Sequence, residues 1–168
     1  LIAIAIYTPS SPQRLVDCAR IVYSSGIIDT LIVVKPVGMA AQVGLAEISK
    51  IAYKAGKKLV ILSQLDEVRE VLNVDEVLYL VHDETVQDVA TTIKGLGLDK
   101  RLCIVVQGGE ATIPRQELAK GIPVRHRLPM MAPVPSADVA LVIVELMELM
   151  RSEGSIFASG SQQPQGFE

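Results

Sequence analysis

The chain has 168 residues, 49% hydrophobic and only 4% aromatic, with a formal net charge of −3 and two cysteines. That length implies one domain with an aliphatic core large enough to need no staples. The mild acidity argues against a general nucleic-acid coat, and Cys18 and Cys103 stand alone with no C-x-x-C partner, so no disulfide framework is expected.

Residues 1–8 read as a strand with few polar interruptions. Ser10 and Ser11 can cap a helix with Pro12 in its first turn, and Leu15, Val16, Ala19 and Val22 give that helix one apolar face before Gly26 stops it. A second strand follows at 28–35, then a helix at 39–55 closed by Gly56, and a third strand at 58–63. A short helix at 66–72, a strand at 76–81 and a helix at 85–94 come next. The last third holds a strand at 102–107, a short helix at 115–120, a strand at 124–128 and a closing helix at 136–151. Strands alternating with helices predict an α/β domain over residues 1–153, with a mostly parallel six-stranded sheet and helices on both faces. Residues 154–168 turn to Ser, Gly, Gln and Pro and read as a flexible or partner-docked tail. No apolar run reaches the ~18 residues that span a bilayer, and the first residues lack the basic lead of a signal peptide. A cytoplasmic protein is therefore expected.

Two strand ends in the last third run into tight turns. Ile104-Val-Val-Gln-Gly-Gly-Glu110 ends in two glycines and an acid, and Leu128-Pro-Met-Met-Ala-Pro-Val-Pro-Ser136 is braced by three prolines. Glycine lets backbone approach a ligand closely, and exposed N–H and C=O groups can read one by hydrogen bonds. Seven of the sixteen basic residues (Lys94, Lys100, Arg101, Arg115, Lys120, Arg125 and Arg127) flank these turns. They form either a local phosphate-binding face or an ordinary solvated one. The closing helix begins with consecutive apolar residues from Val139 to Val144. Apolarity all round implies cover on more than one side, by a second subunit or by the chain itself.

These segments resemble the sequence motifs of the SpoU/TrmH branch of the SPOUT RNA methyltransferases. Val106, Gly108 and Glu110 fall on V-x-G-x-E-x-x-G, with Ile113 at the last glycine. Leu128, Pro129, Met130, Ala132, Ser136, Ala137, Asp138, Val139 and Ala140 fall on I-P-M-x-G-x-x-x-S-L-N-V-S, with Asp138 in place of asparagine. A fainter match to N-x-G-x-x-x-R-x-x-x-x-x-G aligns Arg20 and Gly26, with Arg14 and Val16 departing from the pattern. The chain looks like an archaeal relative of that family.

The resemblance implies a deep trefoil knot in the C-terminal segment, S-adenosylmethionine as cofactor, and a homodimer through the last helix. The implied activity is methyl transfer to tRNA or rRNA, at a ribose 2′-oxygen. It implies cofactor binding by Val106, Gly108, Gly109, Glu110, Leu128, Met130, Ser136 and Ala137, and places Arg20, Ser136 and Asp138 among the catalytic residues. Ser136 reads independently as the cap of the last helix. The three departures at Arg14, Ile113 and Asp138 leave open a second reading, a binding protein for the cofactor or RNA without turnover. A metal-dependent nuclease of restriction type is the third. Its carboxylate and E-x-K pattern is missing, Glu47 and Lys50 have the wrong spacing for one strand face, and Asp83 and Glu84 beside His82 read as a loop. No metal ligands are therefore expected. A flavodoxin-like domain is the fourth, but the turn at 8–12 carries no glycine for a phosphate.

Overall fold

The computed structural model describes residues 1–160. In chain order its elements are β1 (Ile2–Tyr7), α1 (Pro12–Ser24), β2 (Thr30–Val34), α2 (Leu45–Ala55), β3 (Lys58–Leu62), α3 (Glu67–Leu72), β4 (Glu76–Leu80), α4 (Val89–Leu96), β5 (Leu102–Gln107), α5 (Arg115–Leu118), β6 (Ile122–Val124) and α6 (Pro135–Gly160). The strands form one sheet in the order β3-β2-β1-β5-β4-β6. Every neighbouring pair is parallel, as the alternation of elements predicts.

The strand period of two sends side chains to two cores. Ile2, Ile4 and Ile6 of β1 join Leu15 of α1, Ile48 of α2, Ile93 of α4 and Leu146 of α6 on one face. Ala3 and Ala5 join Ile32, Val68 of α3, Val105 and Ile113 on the other. Both faces are therefore covered, which is why β1, β2 and β5 are near-continuous runs of buried aliphatic residues.

Four boundaries differ from the sequence expectation. The helix expected at 39–55 opens with a π-helical turn, Ala40–Gly44, before α2 proper. The helix α4 starts later than 85, because Asp88 caps it by accepting from Thr91 N–H. The last strand is earlier and shorter than 124–128. Pro123 pairs with Tyr79 on the sheet edge, where a missing N–H is tolerated. Gly121 just ahead of it lies where a Cβ would meet Val77 O at 2.4 Å, so only glycine lets β6 reach β4 this way. The helix α6 runs past Gly154 to Gly160, so the backbone of the first residues assigned to a tail is helical. Residues 161–168 of that expected tail lie outside the described residues. No helix among the described residues is long and apolar enough to cross a membrane.

Because all strands are parallel, the turns that follow β1, β4, β5 and β6 share the C-terminal edge of the sheet, the usual place for a ligand crevice in such folds. The turns after β5 and β6 are on the same edge but separated by β4.

Candidate functional site

A cleft of about 630 Å³ opens at this edge between the turns after β4 and β6. Residues 81–84 form one wall and residues 125–131 the other. Its size falls within the usual range for small-molecule sites, roughly 300–1,000 Å³.

At the cleft, three side chains from distant parts of the chain converge. Asp138, in the first turn of α6, is fully buried. Its Oδ1 lies 2.9 Å from Nε2 of His82 and 2.8 Å from Nε2 of His126. Its Oδ2 accepts from Val134 N–H at 3.2 Å. The two imidazoles stand edge to face, with centroids 5.7 Å apart. Burying a carboxylate is expensive unless its lone pairs are filled; here three donors fill them. His126 is 3% exposed, and its Nδ1 is buried without a hydrogen-bond partner. His82 is only partly buried and lines the cleft.

Local sequence explains each position. His82 and His126 each sit two residues beyond a strand, and β4 pairs directly with β6, so the pairing carries both rings to one place. Asp138 also closes the start of α6: its backbone N–H bonds Val134 O at 2.8 Å while its carboxylate reaches back to Val134 N–H. Ser136 was expected in that capping role. Instead it is the second helical residue, after Pro135 at the first position, where proline suits a helix.

Other groups nearby serve the architecture. Asp83 Oδ1 accepts from the Thr85 hydroxyl and backbone N–H, which holds its carboxyl below the usual range and makes 83–85 a turn. Arg127 donates to Glu145, a buried acid of α6, through both its backbone N–H and its Nε, and pairs with Glu148. Those contacts raise the guanidinium's pKa further and tie the cleft wall to the helix. Several of the clustered basic residues are likewise engaged internally. Arg101 donates to Leu72 O and Asn73 O, Arg125 to Val86 O, and Lys120 and Lys94 pair with Glu117 and Glu153.

The sequence-derived residues divide into three groups. Leu128 and Met130 line the cleft, and Asp138 lies beneath it with the histidines. Val106 is a buried core residue of β5, and Glu110 is exposed. Gly108 and Gly109 are buried against the turn after β1. Gly108 N–H donates to Tyr7 O at 2.8 Å, and Gly109 O accepts from Gln107 Nε2 at 2.9 Å. Those two backbone groups are satisfied within the chain. Arg20 is away from this cleft, in a shallow groove between α1 and α6 with Ile21, Ala140, Ile143, Val144 and Met147. The sequence reading placed His82 in a loop after a strand and did not single out His126, so it did not anticipate their meeting at Asp138. The available signal was that the chain has only two histidines and both follow apolar strands.

Comparison with known proteins yields two answers. The fold is shared with SPOUT-type methylases. A probable methylase-family protein of Haemophilus influenzae Rd KW20 superposes with a TM-score of 0.73 at 18% identity, over 95% of this chain and 69% of that one. The SpoU methyltransferase AviRb of Streptomyces viridochromogenes, in complex with AdoMet, superposes with a TM-score of 0.65 at 13% identity, over 91% of this chain and 60% of that one. At such identities the likeness concerns fold alone. In sequence, a relative from Aeropyrum pernix, provisionally named a type II restriction enzyme, is 36% identical over 143 residues, 84% of this chain and 90% of that one. The family model described as RecB-family nuclease (DUF2122) matches residues 38–145, which include the cleft, both histidines and Asp138. On that match and that identity, the chain belongs to the DUF2122 family.

Proposed function

We propose that the chain binds S-adenosylmethionine in the cleft between the β4 and β6 turns and transfers a methyl group to RNA, at a ribose 2′-oxygen of tRNA or rRNA. The observation that carries this reading is that the segment matching the third methyltransferase motif, 128–131, forms a wall of a cleft at the sheet edge where α/β folds bind ligands. The lining suits such a ligand. Leu128, Pro129 and Met130 offer apolar surface for a base, and Asp83 and Glu84 offer carboxylates to an amine and a sulfonium. The bound cofactor supplies an electrophilic methyl group. The chain must position it and accept the proton lost by the attacking hydroxyl. His82, at the cleft and held by a buried carboxylate, suits proton acceptance better than Arg20, a poor base by nature. The reading includes a knotted path for the segment between β6 and α6, and a homodimer across α6. Val144, half exposed on α6, and Met147 beside it support an apolar mating face. Calorimetry with S-adenosylmethionine, followed by tritium transfer to total RNA, tests the reading. Binding with transfer is expected. Binding without transfer reduces it to a cofactor-binding scaffold, and absence of both refutes it.

A second reading is hydrolysis of nucleic-acid phosphodiesters, favoured by family membership together with the His82–Asp138 pair. A carboxylate-held imidazole at a cleft is the usual device for activating water. Digestion of labelled RNA and DNA, lost in His82→Ala, is its expected signature.

A further inference from the structure

We infer that His82, His126 and Asp138 form a binding site for one first-row divalent transition-metal ion, with zinc the best-fitting case, open to the cleft on its remaining coordination positions. The inference rests on neither functional reading above. One ligand atom from each residue lies within 4.8 Å of the other two. The convergence is closer than that bound suggests, since both imidazole Nε2 atoms are aimed at a single oxygen, Asp138 Oδ1. A tetrahedral ion with bonds of about 2.0–2.1 Å keeps its ligand atoms about 3.3 Å apart. The present separations are 2.9 and 2.8 Å. Each ring therefore has to retreat by about half an ångström for the ion to replace the shared hydrogen bonds. His82 follows β4 outside regular structure and is partly exposed, so it moves freely, while the buried His126–Asp138 pair has to open by the same distance within the core.

The surroundings fit an ion. Val134 N–H holds the far oxygen of Asp138, the outer support that orients a ligating carboxylate. His126 Nδ1 lacks a protein partner whether Nε2 faces the carboxylate or an ion, so loading adds no new unsatisfied group there. Three protein ligands leave at least one position vacant, the arrangement of catalytic rather than structural sites. That position faces the cleft, because both histidine ligands line it, His82 on one wall and His126 on the other. Two imidazoles with one carboxylate favour zinc, iron, nickel or copper over magnesium, which prefers all-oxygen ligands. A restriction-type nuclease site would show the opposite preference.

The test uses the full chain, stripped with chelator and titrated with zinc chloride by calorimetry, with magnesium chloride in parallel and cobalt(II) as a visible-absorption probe. Expected are one zinc per chain, a cobalt spectrum of low-coordinate intensity, and a rise in Tm with zinc. His82→Ala, at the cleft wall, should fold normally and bind zinc at least ~100-fold more weakly, since loss of outer-shell support alone costs roughly 10–100-fold. Asp138→Asn should weaken zinc binding as well, and if it fails to fold the His82 variant still decides. Absence of zinc binding, an unchanged affinity in His82→Ala, or magnesium bound as tightly as zinc would overturn the inference. Zinc binding without methyl transfer or cleavage leaves it standing while both functional readings fall.

Discussion

Gly108 separates two explanations of the same motif. The resemblance makes it a cofactor glycine, whereas the structure provides a packing reason inside the chain. A Cβ built there would lie 2.7 Å from Ile6 Cγ2, 2.7 Å from Tyr7 O and 3.0 Å from Pro9 N. Ordinary carbon contacts are about 3.5–4.0 Å, so Gly108→Ala forces an overlap of roughly 0.8 Å or more. Two of those three neighbours are backbone, and the β1–β5 ladder holds Tyr7 opposite Gln107. The end of β5 must move, at the expense of the Gly108 N–H to Tyr7 O bond. Overpacking of this kind costs about 1–3 kcal/mol, the bond about 1 more, and the stiffer unfolded chain returns about 0.4–1. A net loss of about 1–3.5 kcal/mol follows. With a urea m-value of about 2 kcal/mol/M for a small protein, the unfolding midpoint should drop by about 0.5–1.8 M. Gly109→Ala is the control. Its Cβ would meet only Ser10 Oγ at 3.3 Å, the tip of a side chain that can rotate away, so a change within about 0.5 kcal/mol is expected. Equal midpoints for the two variants in urea denaturation would refute the packing account. A Gly108→Ala protein as stable as wild type but unable to bind S-adenosylmethionine would restore the cofactor account.

Asp138→Ala removes the acceptor of three donors, of which the His126 ring is fully enclosed; a loss of about 2–4 kcal/mol is expected by urea unfolding, and a loss under 1 would sink the claim that this carboxylate organises the site. Burial pushes the thiols of Cys18 and Cys103 from 9.0 up to about 12, with Asp17 and then Asp138 adding to the effect at Cys18. Both should therefore resist alkylation at pH 8 until the chain unfolds, as read by mass spectrometry. Because the folded values lie above the unfolded ones, the stability these thiols contribute is complete below pH 9 and is lost as pH rises through about 12. Val144→Arg, at a position 50% exposed on α6, should shift the proposed homodimer toward monomer in sedimentation while leaving the unfolding free energy within about 0.5 kcal/mol; sedimentation unchanged from wild type would refute an interface at this face.

The parallel sheet was legible because its strands are short aliphatic runs bounded by turn residues, and periodicity reports on exactly one thing, which faces are buried. Boundaries failed where a local side chain outbid the pattern, as with Asp88 at the start of α4, or where edge placement made Pro123 acceptable inside β6. The site was half legible. The 128–131 turn was visible from its prolines and its motif, and Asp138 from its departure from that motif. The histidines were not, because they lie 56 and 12 residues from the acid they meet, and only the β4–β6 pairing brings them together. Adjacency of β4 and β6 is a topological fact with no local signature. The same topology gives Gly108 two readings, since a glycine against a neighbouring strand and a glycine against a ligand leave the same trace in a sequence.

The departure at Asp138 then acquires a cause. An amide at this position has one oxygen to accept and an NH₂ group to donate. In this fold one oxygen of the side chain meets Nε2 of each histidine, which donates to it in the Nε2–H tautomer, and the other accepts from Val134 N–H. An amide satisfying the two rings through its oxygen would turn its own N–H groups against Val134 N–H, donor to donor. A carboxylate, which accepts on both atoms, serves both rings as Nε2–H donors, whereas an amide serves them only once both rings have exchanged tautomers. The acid and the two histidines are thus one chemical unit, and the substitution that weakens the methyltransferase motif is the one that makes a His–Asp–His cluster possible. Asp138→Asn should accordingly damage the wild-type chain more than it damages a His82→Ala, His126→Phe double variant, in which the rings no longer compete for the side chain's oxygen. A double-mutant cycle in urea that showed no coupling would separate the three residues again and leave Asp138 as a helix-start residue alone.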